Sequence, residues 1–276
     1  MGKWLTTIVV DGKSAGTSSG VVKEDLPISN FLSKVIVTFS VSGTSPTVTI
    51  SKAEIIANGS ITLKSLSGAE ARILSTYRDG VAPNGSEGSS SVTEILNFGR
   101  FNGDTLCILP AKAFKTLVLS LTYTFGGTVT SSSYTVETVE WVADEDVKSK
   151  IILKETEIET KASGTGNADV KLPLGNKYRQ IWLNGTIANM GQISLRLNNA
   201  SEIPVTINAT TLNYENQRHA QLASALSTDV CIDLDWTETL TDLLDSYQYN
   251  DVVVRATRPT NATAVTVYAQ EAIPLA

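Results

Sequence analysis

Apolar and polar residues alternate with a period of two along much of this 276-residue chain. Residues 35–41 and 117–125 show the pattern most clearly, with an apolar side chain at every odd-numbered position. Successive side chains of a strand point to opposite faces of its sheet, so each pattern places one apolar row on a buried face. The chain is therefore predicted to consist mainly of half-buried β-strands.

A short motif occurs twice, about half a chain apart. Each copy has a polar run, a Leu-Pro step, an aliphatic residue, a small residue and Asn, and then an aromatic residue that leads into a strand. The copies are centred on Leu26-Pro27-Ile28 and on Leu172-Pro173-Leu174. Proline fits the start or the edge of a strand, where no ladder donor is needed. The repeat indicates a duplication in which both motifs mark the same point of one fold.

Strand-like runs follow one another in the same order in the two halves, with a short helix at the same place. Ser67 is predicted to cap a helix that ends near Asp79-Gly80, and Asn208 to cap a helix that runs towards His219. About eight short strands in each half are typical of a jelly roll.

The predicted fold is thus all-β, with two tandem jelly-roll β-sandwiches and a few short helices. We expect residues 1–147 to form the first jelly roll and residues 148–276 the second. The acidic run Asp144-Glu145-Asp146 is interpreted as a solvated seam between them.

Several local expectations accompany this fold. Residues 239–247 carry Leu240, Leu243, Leu244 and Tyr247 at helical spacing, which predicts an amphipathic helix on the outside of a sheet. The Gly, Ser, Pro and Asn content of residues 81–91 predicts a long exposed loop.

Two further expectations concern strand partners. The strand at 134–142 is expected to pair with the strand at 117–125, across Gly126-Gly127. A strand at 105–109 is expected to match Val230-Cys231-Ile232 in the other half.

Charge and the lack of long apolar runs exclude several functional classes. The net charge is −6, and no cluster of Lys and Arg exceeds two neighbours, which argues against a nucleic-acid-binding face. The longest apolar run is far too short to span a membrane, and the first residues lack the apolar core of a signal peptide. We expect a protein that is made in a reducing cytoplasm.

The residues that most often carry catalysis are few. His219 is the single histidine, so a catalytic triad or a histidine-rich metal site would have to include it. It lies in a polar segment, and we expect a surface or interface residue. Cys107 and Cys231 lie in apolar runs, where buried and unreactive thiols are expected, without a disulfide framework.

Carboxylates are the remaining candidates. Asp233 and Asp235 flank Leu234, and such a pair could serve glycoside hydrolysis or calcium binding. The alternation of this run instead favours a solvated strand face. Gly164-Thr165-Gly166 lacks the further Gly and the Lys of a phosphate-binding loop. We therefore predict no catalytic, cofactor-binding or metal-binding residue, and no cofactor.

The two Leu-Pro motifs, the duplicated order of strands and the chain length together resemble the double-jelly-roll major capsid proteins of tailless icosahedral viruses. The best match is the second motif, residues 170–178, with the strands Ile181-Trp182-Leu183 and 193–198 that follow it. The resemblance implies a structural protein of a phage or archaeal virus that has no enzymatic activity and is located in the virion.

The same resemblance implies a set of partners. Three copies would form a homotrimer with a pseudo-hexagonal footprint, and these capsomers would tile an icosahedral shell over an internal membrane. Neighbouring capsomers, minor capsid or penton proteins and that membrane would be the partners, without direct contact with nucleic acid. The 81–91 loop would face outward and the N-terminus inward.

Two other functions stay open at this point. A receptor-binding or carbohydrate-binding β-sandwich would need a cluster of exposed aromatic residues, for which Trp236, Tyr247 and Tyr249 are the candidates. A glycan-processing enzyme on two jelly rolls would need clustered acids. Lys3 and Trp4 are expected to be strand residues, although Trp also favours a membrane interface.

Overall fold

The computed structural model describes residues 2–101, 103–142, 151–259 and 264–274. Within them the chain is mostly β-strand, with two α-helices. Contacts divide the chain into unit 1, Met1–Lys154 with Pro274–Ala276, and unit 2, Glu155–Ile273. The expected boundary between residues 147 and 148 and the acidic run 144–146 lie outside the described residues, so both stay predictions.

Unit 1 contains two very long strands and several short ones. Its strands are β1 (Lys3–Lys13), β2 (Gly20–Asp25), β3 (Phe31–Ala57), β4 (Ile61–Leu66), β5 (Ser91–Asn97), β6 (Leu109–Pro110) and β7 (Leu117–Val142).

The strands β3 and β7 run antiparallel to each other along their whole length, and each contributes to two sheets. In one sheet the order is β1, residues 130–142 of β7, residues 31–43 of β3, and β5. In the other sheet the order is β2, residues 117–126 of β7, residues 47–57 of β3, and β4. Unit 1 therefore has eight strand positions in two four-stranded layers.

A glycine corner lets β3 and β7 pass from one sheet to the other. The register of the two strands shifts at Gly43 and again before Thr47. Gly43 has a φ of +148°, and a Cβ atom there would lie 1.9 Å from the carbonyl oxygen of Thr128. Only a residue without a side chain fits this close approach of two backbones.

Unit 2 has the same arrangement with separate strands. They are β8 (Ile151–Lys161), most of which belongs to this unit, β9 (Gly166–Lys171), β10 (Lys177–Asn184), β11 (Gln192–Leu197), β12 (Glu202–Asn208), β13 (Asp229–Asp233), β14 (Leu244–Asp245), β15 (Val252–Arg258) and β16 (Val265–Pro274). One sheet has the order β8, β16, β10, β13, and the other has the order β9, β15, β11, β12.

The order of strands in the two units is the same, position by position. In unit 2 a single hydrophobic cluster joins the facing sides of both sheets, with Val170, Leu195 and Val254 from one and Leu183 and Val267 from the other. Each unit is thus a jelly-roll sandwich, and the predicted fold class of two tandem jelly rolls is confirmed.

The core of unit 1 confirms the predicted apolar rows. Val35, Val37, Phe39 and Val41 are all buried. The ring of Phe39 lies 5.1 Å from that of Tyr123, which belongs to the other sheet. Period-two alternation therefore identified the inward face of the sheet correctly.

Both predicted helices form, and both lie between the fifth and sixth strand positions of their unit. Helix α1 (Gly68–Asp79) begins with a capping box between Ser67 and Glu70 and ends at Gly80 in the left-handed conformation. Helix α2 (Ala209–His219) begins at Asn208, whose side chain accepts a hydrogen bond from the backbone of Thr210. These caps satisfy backbone N–H groups that the first helical turn leaves free.

The predicted amphipathic helix at 239–247 is wrong. Bends occupy residues 239–242, and β14 and a single 3-10 turn make up most of the rest. Glu238 and Leu240 have φ values of +54° and +61°, which no α-helix contains. The backbone N–H of Leu240 is instead bound by the carboxylate of Asp235 at 2.6 Å.

Two predicted strand relationships are also wrong. Residues 134–142 do not pair with residues 117–125, because the chain passes at Gly126–Gly127 into the other sheet instead of folding back. Residues 105–108 form bends. The strand of unit 1 that is equivalent to β13 is β5, which occupies the same position in its own sheet.

Candidate functional site

The Leu-Pro motifs occupy the same place in the two units, between the second and third strand positions. Leu26 and Leu172 are both buried. The N–H of Leu26 donates to the carbonyl of Leu117, and the N–H of Leu172 donates to the carbonyl of Val252, each at 2.9 Å. Leu117 and Val252 are the first residues of matching strands. The prediction that the motifs mark one point in two copies of a fold is confirmed.

The end of each unit that carries the motif is called here the Leu-Pro end. In unit 1 it also holds the first residues of β1, because Lys3 and Trp4 pair with Val142 and Trp141. The 81–91 loop lies at the opposite end, since β5 begins at Ser91 opposite Ser40. Most residues of this loop are exposed, as predicted.

Exposed apolar side chains concentrate at the Leu-Pro end of each unit. In unit 1 they belong to β1, to the motif, to the β3–β4 turn and to the β5–β7 connection, and they are Trp4, Leu5, Ile28, Ile61, Phe101 and Leu106. In unit 2 they are Leu174, Ile203, Trp236 and Tyr247. Ile28 and Leu174 hold the same place in the repeated motif. Exposed apolar side chains that gather at one end of a domain are typical of an interaction site.

A buried polar network lies behind this surface in unit 2. Arg179 Nε donates to Asp235 Oδ2 at 2.9 Å, and both side chains are buried. Arg179 also donates to Gln270 Oε1, and Gln270 donates to Glu155 Oε1. The network joins β8, β10 and β16 to the β13–β14 connection by charge-assisted hydrogen bonds.

The expectation of a solvated face at Asp233 and Asp235 is wrong. The Asp235 side chain is fully buried against Arg179. The Asp233 side chain is also buried, and its Oδ2 accepts a hydrogen bond of 2.7 Å from Gln180. Both carboxylates are thus fixed by structural partners on β10.

His219 lies at the end of α2 beside these groups. Its ring stacks on that of Trp236 with 4.0 Å between centroids, and its Nε2 is 4.0 Å from Asp233 Oδ2. It is only partly exposed.

Both cysteines are buried, as predicted, and they form no disulfide with each other. Burial raises the pKa of the Cys231 thiol well above its ordinary value, and the nearby Asp233 acts in the same direction. A neutral thiol is a poor nucleophile. Across the part of the chain that the structure covers, no three His, Cys, Asp or Glu side chains are grouped as metal ligands.

The aromatic residues expected for glycan binding do not act as one exposed group. Tyr247 is 74% exposed and lies against Gly175, whereas Trp236 is 44% exposed and covered on one face by His219. Tyr249 packs on the hydrophobic core. A shared ring platform is therefore not favoured.

One cluster escaped the sequence analysis. Glu94 is buried in the row formed by Val92 and Leu96, which face the core. It lies near Glu87 of the 81–91 loop and Arg72 of α1. The signal that could have found it was a carboxylate in an otherwise apolar alternating row.

Comparisons with known proteins identify the fold. No protein-family model matches the chain, and no curated protein sequence matches it. The solved major capsid protein of Sulfolobus turreted icosahedral virus (STIV) superposes with a TM-score of 0.72 at 16% identity, over 98% of this chain and 97% of that one. The major capsid protein P2 of bacteriophage PM2 gives 0.72 at 10% identity, over 100% and 98%.

The likeness extends to a capsid protein of a different virus. The Faustovirus major capsid protein superposes with a TM-score of 0.64 at 6% identity, over 100% of this chain and 90% of that one. The chain therefore has the double-jelly-roll fold that these major capsid proteins share.

None of the described helices is long and apolar enough to cross a membrane.

Proposed function

We propose that this chain is the major capsid protein of a tailless icosahedral virus and serves as a structural protein without catalytic activity. The observation that carries the proposal is the repetition of a complete eight-strand jelly roll, with a helix at the same position, within one chain. The superposition on capsid proteins over nearly the whole of both chains supports it.

The protein assembles with itself into a homotrimer. Three chains with two jelly rolls each supply six similar units, so a closed threefold assembly has a pseudo-hexagonal outline. Such capsomers pack beside one another into the icosahedral shell of a virion that infects a bacterium or an archaeon.

The Leu-Pro ends provide surface for these contacts. The repeated motif leaves an exposed aliphatic residue at the same place in each unit, Ile28 in the first and Leu174 in the second. Similar apolar patches at equivalent places suit assembly from pseudo-equivalent subunits. Minor capsid or penton proteins are further partners, whereas the net charge of −6 does not support direct binding to nucleic acid.

An internal membrane is the remaining partner. At the Leu-Pro end of unit 1, Trp4 and Leu5 are exposed next to Lys3, and this combination of residues suits a lipid interface. Flotation of the purified protein with phospholipid vesicles tests this contact. The W4S/L5S variant should lose vesicle binding, while I8S, a change at an exposed apolar residue farther along β1, should retain it. Equal binding by both variants would remove the membrane from the proposal.

The oligomeric state tests the main proposal. Size-exclusion chromatography with light scattering should give three times the chain mass of 29.5 kDa. A protein that stays monomeric at all concentrations and binds glycans would instead support the receptor-binding alternative. Electron microscopy of the native source, with mass spectrometry of purified particles, should find this chain as the most abundant protein of icosahedral virions.

A further inference from the structure

The 81–91 loop is attached to unit 1 by a small set of backbone hydrogen bonds. The N–H of Gly88 donates to the carbonyl of Val48, and the N–H of Val48 donates to the carbonyl of Ser89, at 2.9 and 2.8 Å. The loop also places Glu87 under the sheet, where its Oε2 accepts a 2.9 Å hydrogen bond from the N–H of Ile50. Glu87 is therefore a side-chain anchor within the loop.

Glu87 meets a second carboxyl group that is buried in the sandwich. Glu94 of β5 is 1% exposed, and its carboxyl lies within hydrogen-bonding reach of that of Glu87. Neither oxygen of Glu94, nor Oε1 of Glu87, receives a hydrogen bond from a protein donor within the described residues. Two ionised carboxylates in contact would repel each other, whereas one proton between them provides the missing donor.

The surroundings supply one positive charge. Arg72 of α1 places Nη1 3.9 Å from Glu94 Oε1, which is an ion pair too long for a hydrogen bond. The guanidinium of Arg72 also donates to the carbonyls of Pro83 and Gly85 in the loop. On β3 the residue opposite Glu94 is the uncharged Val37. One ionised carboxyl, one protonated carboxyl and Arg72 give a neutral cluster.

We propose that a single proton shared between Glu87 and Glu94 holds the 81–91 loop on unit 1, so that the loop opens more easily as the pH rises. This inference goes beyond the capsid role and does not depend on it. Burial raises the pKa of Glu94 to about 9, and the neighbouring Glu87 acts in the same direction. Burial also raises the pKa of Glu87.

The direction of the pH effect follows from proton binding. The attached loop keeps the proton up to about pH 9, whereas an open loop releases it near the ordinary glutamate value of 4.5. Between these values, each rise of one pH unit increases the equilibrium constant for loop opening by up to about tenfold. Above about pH 9 the effect levels off, because both states have then lost the proton.

Hydrogen exchange of the amides of Val48, Ile50 and Gly88 measures this opening, after correction for the intrinsic pH dependence of exchange. The wild-type protein should lose protection progressively from about pH 5 to about pH 9. In E94Q the neutral amide donates to Glu87 without titrating, so protection should stay constant. E140Q changes a carboxyl that is equally buried at the opposite end of unit 1, and it should keep the wild-type dependence.

A second measurement does not require any variant to fold. The infrared band of a protonated carboxyl should be present in the wild-type protein at neutral pH and disappear around pH 9. Absence of the band at neutral pH, or equal pH dependence of loop protection in the wild type and E94Q, would overturn the shared proton.

Discussion

The backbone N–H of Leu172 donates a 2.9 Å hydrogen bond to the carbonyl oxygen of Val252. Leu26 makes the same bond to Leu117 in unit 1. In both units the leucine is the residue just after the second strand, and it adds one last bond to the ladder before Pro ends it. The Leu-Pro step therefore closes the same corner of each sandwich, with the leucine side chain buried inside.

We expect Leu172→Ala to lower the free energy of unfolding by about 2–5 kcal/mol, because it leaves a cavity in a closely packed core. Leu174→Ala, two residues later, should change it by about 0.5 kcal/mol or less, since that side chain is 48% exposed. Denaturant titration of the two variants measures the difference. Equal losses would show that the motif is not a core anchor.

The second prediction concerns Gly43, at the corner of β3. Gly43→Ala should lower the free energy of unfolding by about 3 kcal/mol or more, because strained backbone and a clash with the carbonyl of Thr128 add together. Gly12 is the matched control, with φ +56° and nothing within 4 Å of an added Cβ. Gly12→Ala should cost only about 1–2 kcal/mol. Thermal unfolding of both variants distinguishes a constrained corner from a general glycine effect.

The sequence predicted those parts of the fold in which the local pattern of apolar and polar residues matches the burial seen in the structure. The inward row 35–41 and the capped helix after Ser67 depend on residues close in sequence, and both were found. The segment 239–247 failed because its leucine spacing is helical, while Asp235 and Asp245 bind backbone N–H groups and stabilise turns instead. Short polar side chains commonly compete with helix formation in this way.

The candidate site was harder to predict than the fold. The partner of Asp235 is Arg179, on a strand more than fifty residues away, and that pairing depends on the order of strands in the sheet. Likewise Gly126–Gly127 gives a hairpin signal, although the long strand β7 continues through it. Contacts set by topology leave no trace in a local pattern, so burial of these charges could not be foreseen.

The Arg179–Asp235 pair is expected to be structural. Removing one partner with Arg179→Met or Asp235→Asn should cost about 3–5 kcal/mol, since it leaves a buried charge or an unsatisfied donor. The partly exposed pair of Arg255 and Asp169 is the control in the same unit, and Arg255→Met should cost about 1 kcal/mol or less. A double-mutant cycle by denaturant unfolding measures the coupling. A cost for Arg179→Met no larger than that of Arg255→Met would contradict this role.

The Asp104–Arg100 pair predicts a loss of stability in acid. Burial alone would raise the pKa of Asp104, but hydrogen bonds from the Arg100 side chain and backbone outweigh it and hold the pKa below its ordinary value of 3.8. The folded protein therefore keeps Asp104 ionised at a pH where the unfolded chain already binds a proton. The pair contributes its full stability above pH 3.8 and loses it as the pH falls through the lower folded-state pKa.

Asp104→Asn should thus lower the free energy of unfolding by about 3 kcal/mol near neutral pH, and this deficit should shrink in acid as the wild-type protein loses the same interaction. Asp25→Asn, at an exposed position in the same unit, should leave the stability nearly unchanged throughout. Denaturant titrations of the three proteins at a series of pH values measure the two differences. A deficit of Asp104→Asn that stays constant from neutral pH down to pH 2 would mean that its ionisation does not contribute.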